Sequence, residues 1–514
     1  MRAILSVYDK TGVVDFARGL VELGYELFST GGTEALLRDA EIPVRGVQEL
    51  TGFPELLGGR VKTLHPAVHG AILALRSEPS HMQELAQHDL QPIDIVVANL
   101  YPFLNIARQA GTQLEVALEN IDVGGHTLLR AAAKNFSSVL AVCDPGDYPD
   151  LLEELRRSEG VSDDRRRRLA AKAFQHCAVY DTHVATYLRP HDELFPNEYT
   201  IALTKVSDMR SGENPHQFAS FYADSTPRPR PPGMPTAKQL HGKSPSFNNT
   251  YDADVAWQTV IDFTSTAVAI VKHGNLCGLS LGDSVADAFR KALATDPQTA
   301  FGSAVAANRS VDADAAREIS AVFFEDLVAP DYSRDALSIL KSKSDLRVFA
   351  TNSDRTNRSN GTPELDYKRV LGGFLVQTRD SLPEHSLTPR VVTQRHPVLA
   401  ELTSLLFAWR AVKHVTSNGV VLAKGLSLVG FGSGQPSRQD AVDLACRKAA
   451  DRAQGAVLAS DGFFPFPDAL DLAADMGVTA IIQPGGSSRD AELIQRANRH
   501  GMAMIFTSER HYRH

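Results

Sequence analysis

The sequence predicts an α/β protein of more than one domain. Two observations carry that expectation: short apolar runs of strand length alternate with segments of helical period through residues 1–150, and the same mixture returns in the second half. A third is that a chain of 514 residues, 43% hydrophobic, contains no run of eighteen apolar residues. That pattern suits two to four globular domains by length and gives no membrane span.

The elements follow in order. Ala3 to Val7 reads as a buried strand, with Ser6, Asp9 and Lys10 forming a polar cluster at its end. One basic residue precedes it, with no apolar leader or cleavage site, so a cytoplasmic location is expected. Val13 to Glu22 has helical period, and Tyr25 to Phe28 is the next strand. Ser29-Thr30-Gly31-Gly32-Thr33 then opens a helix expected over Thr33 to Asp39. Glycines, hydroxyls and a helix N-terminus suit a phosphate, although an ordinary turn with a threonine cap accounts for the pentapeptide equally well.

Gly58-Gly59-Arg60-Val61-Lys62-Thr63-Leu64-His65-Pro66 places two cations and a hydroxyl in a bounded loop that can bind an anion or polarise a carbonyl. Ile93 to Ala98 is a strand, and Asn99-Leu100-Tyr101-Pro102-Phe103 lies at its C-terminal end, the ligand side of a parallel sheet or else a structural turn. Ile121-Asp122-Val123-Gly124-Gly125 precedes a helix, Gly125 to Ala133, followed by Lys134. Asp122 and Lys134 would share a pocket or form a surface ion pair. Val139 to Val142 is the last strand of a parallel α/β domain.

Residues 151–199 read as a charged helical connector ending in linker punctuation at Pro190 to Asn197, and residues 200–514 as the second region, with two layers or two subdomains. The second region opens on a proline-rich loop, 227–235; residues 351–362 are polar enough for an exposed loop, and no repeat of fixed period is visible. A net charge of −8 argues against nucleic acid as a partner, and Arg165 to Arg168 reads as a solvated helix face. Cys143, Cys177, Cys277 and Cys446 are too dispersed for a zinc site or a disulfide framework.

The richest motif is Lys272-His273-Gly274-Asn275-Leu276-Cys277-Gly278, after the apolar strand Thr266 to Val271. A histidine can move a proton near neutral pH and a neighbouring ammonium can stabilise an oxyanion, a pair suited to group transfer onto a weak nucleophile. A snorkelling lysine beside a turn histidine is the bland alternative.

The motif Arg60 to Pro66, with Asn99 to Phe103 and Ile121 to Gly125, resembles the inosine monophosphate (IMP) cyclohydrolase domain. Arg210-Ser211-Gly212-Glu213-Asn214-Pro215-His216-Gln217, Lys272 to Gly278, Ser460 to Asp468 and Gln483 to Asp490 resemble the aminoimidazole carboxamide ribonucleotide (AICAR) transformylase region. In this order, over nearly the whole chain, the motifs resemble the bifunctional purine-biosynthesis family. The resemblance implies a methylglyoxal-synthase-like first domain and two cytidine-deaminase-like subdomains, with transformylase sites at a homodimer interface. It implies formyl transfer from 10-formyltetrahydrofolate, a co-substrate, to AICAR. The formamido product, FAICAR, then closes to IMP with loss of water. Metal and redox cofactors are not required, and the partners are small molecules, with neither nucleic acid nor membrane.

Carried onto these positions, His273 takes the amine proton, Lys272 stabilises the oxyanion or assists the leaving nitrogen, and Asn418 orients His273 or the formyl oxygen. Arg210 and Arg510 suit the phosphate, Asn249 and the terminal His514 the nucleotide, and Gln435, Phe463 and Phe464 the folate side, though Phe463 to Phe466 alone reads as core. Lys62, Tyr101, Asp122 and Lys134 would carry cyclisation. Ser6, Lys10, Ser29, Thr30, Gly31, Gly32, Thr33, Arg60 and Thr63, with Gly124 and Gly125, would bind phosphate and ribose. Leu276 stands where the pattern has proline, Ser211 where it has an aromatic residue, Ser303 where it has glycine, and Tyr8 where it has a small polar residue. These departures motivate one alternative, a cyclohydrolase with a weakened or altered-donor transformylase. The other alternative is a non-catalytic nucleotide-binding protein.

Overall fold

In the computed structural model the chain divides into two compact units: residues 1–204 with a short segment from Asp224, and residues 205–223 with the rest of the chain. The structure describes all residues except 110, 228–231, 353–363 and 382–387, so the loops expected at 227–235 and 351–362 fall partly outside the described residues.

The first unit is built on strands β1 (Arg2–Ser6), β2 (Glu26–Ser29), β3 (Arg45–Gly46), β4 (Ile95–Ala98) and β5 (Leu140–Val142). They lie in the order β3-β2-β1-β4-β5, with every pair parallel. Successive side chains point to opposite faces, so Ala3 and Leu5 join one core while Ile4 joins the other. Helices Val13–Glu22 and Tyr148–Arg156 cover the first face; Pro66–Leu73, Gly124–Lys134 and Asp163–Leu188 cover the second. The helix Asp163–Leu188 contributes Ala170, Ala173, Cys177 and Tyr180 to that core. Strand order reverses between β1 and β4, so the loops leaving their C-terminal ends diverge and open a crevice.

Two ribbons, β6 (Leu203–Asp208) with β7 (Ser220–Asp224) and β14 (Leu365–Val370) with β15 (Gly373–Thr378), stand outside the two large sheets. The remaining strands are β8 (Lys238–His241), β9 (Ala267–Lys272), β10 (Asn275–Leu281), β11 (Ala304–Ala307), β12 (Asp326–Ala329), β13 (Arg347–Ala350), β16 (Arg390–Val391), β17 (Val420–Lys424), β18 (Ser427–Gly432), β19 (Val457–Ser460), β20 (Ala480–Gln483) and β21 (Ala503–Phe506). They form one sheet in the order β16-β21-β20-β19-β17-β18-β10-β9-β11-β12-β13-β8.

That order reads the same from either end once β18 is matched with β10, β17 with β9, and so outward. Each half is an antiparallel hairpin, an antiparallel third strand, two parallel strands and an antiparallel edge. Each half also threads helix, hairpin, helix, strand, helix, strand, helix, strand in the same sequence. The second region therefore contains an internal repeat, in line with the pair of subdomains that the family resemblance implied, although no fixed period shows it in the sequence.

Helices Phe247–Ile261 and Leu399–Val412 cover one face as a single core, in which Phe263 and Phe407 meet at 5.8 Å. The other face carries one core per half. Glycines let the helices approach the central hairpins: a Cβ on Gly278 would overlap the Ala292 carbonyl, and one on Gly430 would overlap that of Ala445. The halves join through Ser280 and Ser427, whose hydroxyls are 2.6 Å apart.

Candidate active sites

In the first unit, the ends of β1, β2 and β4 bring several predicted residues together. The Ser6 hydroxyl lies 3.2 Å from that of Thr30, and Lys10 Nζ donates to Thr33 Oγ1 at 2.8 Å and to the Val7 carbonyl. Burial lowers the pKa of the Lys10 ammonium. Asn99, buried at the end of β4, accepts from the amides of Tyr8 (2.6 Å) and Asp9 (2.8 Å) and donates to the Asp9 carbonyl, so it fixes the loop after β1. The rings of Tyr8 and Tyr101 meet at 5.3 Å above this loop, each about half exposed.

Gly31 and Gly32 open the helix Gly31–Asp39 with exposed backbone, and Lys62 Nζ stands 3.3 Å from where a Gly31 Cβ would be. A cation over a helix N-terminus makes an anion site. Glu55 lies 3.5 Å from the same ammonium. Thr63 Oγ1 is 3.2 Å from where a Gly124 Cβ would be, which brings the Lys62 loop to the helix Gly124–Lys134. Asp122 accepts from the amides of Gly125 (2.8 Å) and Tyr101 (3.3 Å), and burial raises its carboxyl pKa.

Four expected site residues sit differently. Ser29 is fully buried and its hydroxyl donates to the Leu5 carbonyl; Thr33, 2% exposed, ties itself to Val7, so both build the loop and do not face the crevice. Arg60 is exposed and paired with Glu119. Lys134 ends the helix Gly124–Lys134, twelve positions after Asp122, and that helix runs roughly 15 Å along its axis at 1.5 Å per residue. Lys134 is exposed there, so the helix does not bring the two to one pocket. Sequence reasoning missed Tyr180, whose hydroxyl accepts from the Asp122 amide at 2.7 Å and donates to the Asn120 carbonyl at 3.3 Å. Burial pushes its phenol up to about 12, so it stays protonated. No local motif marks it, since it comes from a helix almost sixty residues away.

In the second unit the site forms at one end of the twelve-stranded sheet. Lys272 closes β9, and its Nζ donates to the Phe301 carbonyl at 2.7 Å. His273 and Gly274 form the two-residue tip of the β9–β10 hairpin, with φ of 52° and 72°, as a type I′ turn requires. Asn275 donates to the His273 carbonyl (3.2 Å) and accepts from Thr416 Oγ1 (2.8 Å). That relay brings the turn to the loop carrying Asn418, 145 positions along the chain.

Asn418 donates to the carbonyls of Gln435 (2.8 Å) and Pro436 (3.0 Å). With Ser417, Gln435, Pro436, Tyr512 and His514 it lines a pocket of about 310 Å³. The flanking Ser417 and Gly419 both donate to Asp461, which is fully buried and paired with Arg438. Arg510 lies over Phe463 at 5.0 Å. Phe464 is fully buried in the core, as the core reading of that cluster expects, whereas Phe463 is only half-buried and Phe466 is exposed. Arg210 is exposed and lines a separate hollow with Asp208, Phe218 and Tyr222. Asn249 is buried, caps its own helix through Ser246, and donates to Glu325 (2.6 Å) and Asp326 (3.0 Å), so protein groups occupy its amide.

The departures have structural settings. Leu276 is buried in β10 beside a register shift, and Ser303 is buried where its hydroxyl donates to the Thr299 carbonyl at 3.4 Å. Among the described residues no helix is long and apolar enough to cross a membrane.

The model of the MGS-like domain matches residues 12–127, and that of the AICARFT/IMPCHase bienzyme matches residues 132–448. The chain is 48% identical over 533 residues to the bifunctional purine biosynthesis protein PurH of Magnetococcus marinus, covering 100% of this chain and 99% of that protein. It is 47% identical over 514 residues to the protein of the same name from Anoxybacillus flavithermus, covering 100% and 99%. It is 44% identical to that of Listeria monocytogenes, covering both completely. With its fold, its two sites and this likeness along its entire length, the chain belongs to the AICARFT/IMPCHase bienzyme family.

Proposed function

We propose that this protein transfers a formyl group from 10-formyltetrahydrofolate to AICAR and then closes FAICAR to IMP with loss of water. The observation that carries this reading, in a chain of this family, is the approach of the Lys272-His273 turn to the Asn418 loop through Asn275 and Thr416. In formyl transfer the exocyclic amine attacks the formyl carbon and His273 accepts the amine proton. Lys272 and Asn418 stabilise the tetrahedral oxyanion, which collapses as the folate nitrogen leaves and takes up a proton. Arg210, Arg510 and His514 serve the nucleotide, and Gln435 and Phe463 the folate.

Cyclisation joins the carboxamide nitrogen to the formyl carbon of the same molecule, so holding the two close contributes most. Lys62 over the helix N-terminus, with Gly31, Gly32, Ser6 and Thr30, holds phosphate and ribose. Asp122 and Tyr101 handle the protons, and the raised carboxyl pKa of Asp122 suits it to return one to the departing water. Residues 1–150 thus carry cyclisation and residues 200–514 formyl transfer, in a cytoplasmic homodimer. The first test incubates the enzyme with AICAR and 10-formyltetrahydrofolate and follows tetrahydrofolate and IMP separately. Formation of both supports the reading; cyclisation of supplied FAICAR without formyl transfer would favour the weakened transformylase.

A further inference from the structure

A left-handed φ is costly for any residue with a Cβ, and His273 at 52° bears that strain directly before Gly274 at 72°. A turn with two successive left-handed residues also directs two neighbouring backbone amides outward, a concavity that suits an anion. Here a carboxylate fills it: Asp252 accepts from the His273 amide at 2.9 Å through Oδ2 and from the Gly274 amide at 2.7 Å through Oδ1. Asp252 belongs to the helix Phe247–Ile261, packed on the sheet beneath the turn, and its neighbour Tyr251 closes the other side. A Cβ on Gly274 would come within 2.7 Å of the Tyr251 ring. On the far side, Asn275 holds the His273 carbonyl and is itself held by Thr416. The backbone of His273 is therefore gripped at its amide from one half of the repeat and at its carbonyl, through one relay, from the other.

We infer that Asp252 is a positioning residue for formyl transfer, its carboxylate holding the His273-Gly274 backbone so that the imidazole meets the amine opposite Asn418. The inference rests on His273 being the proton acceptor. Asp252 is half-buried, and among the described residues its carboxylate is bonded to these two amides and to no basic side chain.

The test compares full-length Asp252→Ala, Asp252→Asn and His273→Ala in formyl transfer and in cyclisation of supplied FAICAR. Asp252→Ala is expected to lower kcat for formyl transfer on the order of 10²-fold, the effect of misplacing a reacting group by about an ångström. Its KM for AICAR should stay within about threefold, because ground-state binding is untouched. Asp252→Asn keeps one acceptor oxygen and should recover part of kcat, and cyclisation should be unchanged in both. Asp252→Asn also decides the matter if the alanine variant fails to fold. Wild-type kcat in a folded Asp252 variant, or a raised KM at unchanged kcat, overturns the positioning role. If His273→Ala itself transfers formyl normally, the underlying reading falls and the positioning role with it; if only His273→Ala is impaired, the positioning role alone falls.

Discussion

At the scale of single residues, charge and burial decide what each site can do. Lys62 supplies an ammonium placed over the Gly31 helix start, so Lys62→Ala should slow cyclisation roughly 10²- to 10³-fold, the usual cost of losing a preorganised electrostatic contact. Formyl transfer should be spared, and an assay of supplied FAICAR beside one of tetrahydrofolate release separates the two. Asp326 offers a stability test. Burial pushes its carboxyl up to about 7 from the ordinary 3.8, because Arg347, at 3.6 Å, is too distant to offset desolvation with a hydrogen bond. Its folded pKa lies above its unfolded one, so its contribution is complete below about pH 4 and is lost as pH rises through about 7. Thermal melts should therefore decline over that window in the wild type and less steeply in Asp326→Asn; parallel slopes would count against it. Lys62, Tyr101 and Asp122 stand in motifs that the sequence displayed, and the structure gathers them. Tyr180 and Asp252 escaped notice because each acts through a hydrogen bond to a backbone amide many positions away, which no spacing rule encodes.

Elements show where pattern was enough and where it was not. The helix Val13–Glu22 has the limits its periodicity predicts, since every apolar position faces one core. The next helix begins at Gly31, two residues before the expected start at Thr33, because the glycines themselves form its first turn. The repeat in the second unit shows no fixed period in the sequence, and only the family resemblance pointed to two subdomains: its halves share topology and close packing while their letters differ at the hairpin tips. What they do share can be tested, because Gly278 and Gly430 play the same part against their helices. Alanine at either should cost about 1–3 kcal/mol by overpacking, measured by denaturant unfolding. The helix carrying Asn249 and Asp252 is capped by Ser246, whose hydroxyl accepts from the Asn249 amide at 3.3 Å. Ser246→Ala should cost about 1 kcal/mol, and because the cap aims that helix at the His273 turn, formyl transfer should fall more than cyclisation.

For the whole molecule, the division into two units means that the intermediate has to leave one set of residues and reach another. A Lys62→Ala enzyme given AICAR and 10-formyltetrahydrofolate should accumulate FAICAR. Adding a His273→Ala enzyme, itself unable to make FAICAR, should then convert the accumulated pool to IMP. Failure of the mixture to form IMP while each variant keeps its remaining half-reaction would show that FAICAR is not released to solvent. The two-unit α/β plan was legible from alternating strand and helix runs, whereas the continuity of the twelve-stranded sheet was not, because its halves meet where β10 pairs with β18, at positions such as Ser280 and Ser427 that lie 147 apart in the chain.

The mirrored strand order has one more consequence. In the second half the hairpin tip equivalent to His273-Gly274 is Gly425-Leu426, which has no titratable side chain, and alternating strand direction puts it at the opposite end of the sheet. What the second half sends toward His273 is instead the start of its own hairpin, with Asn418, and the tail with Tyr512 and His514. Under the proposed mechanism the two like halves divide the labour: one presents the proton-accepting tip, and the other supplies the wall opposite it.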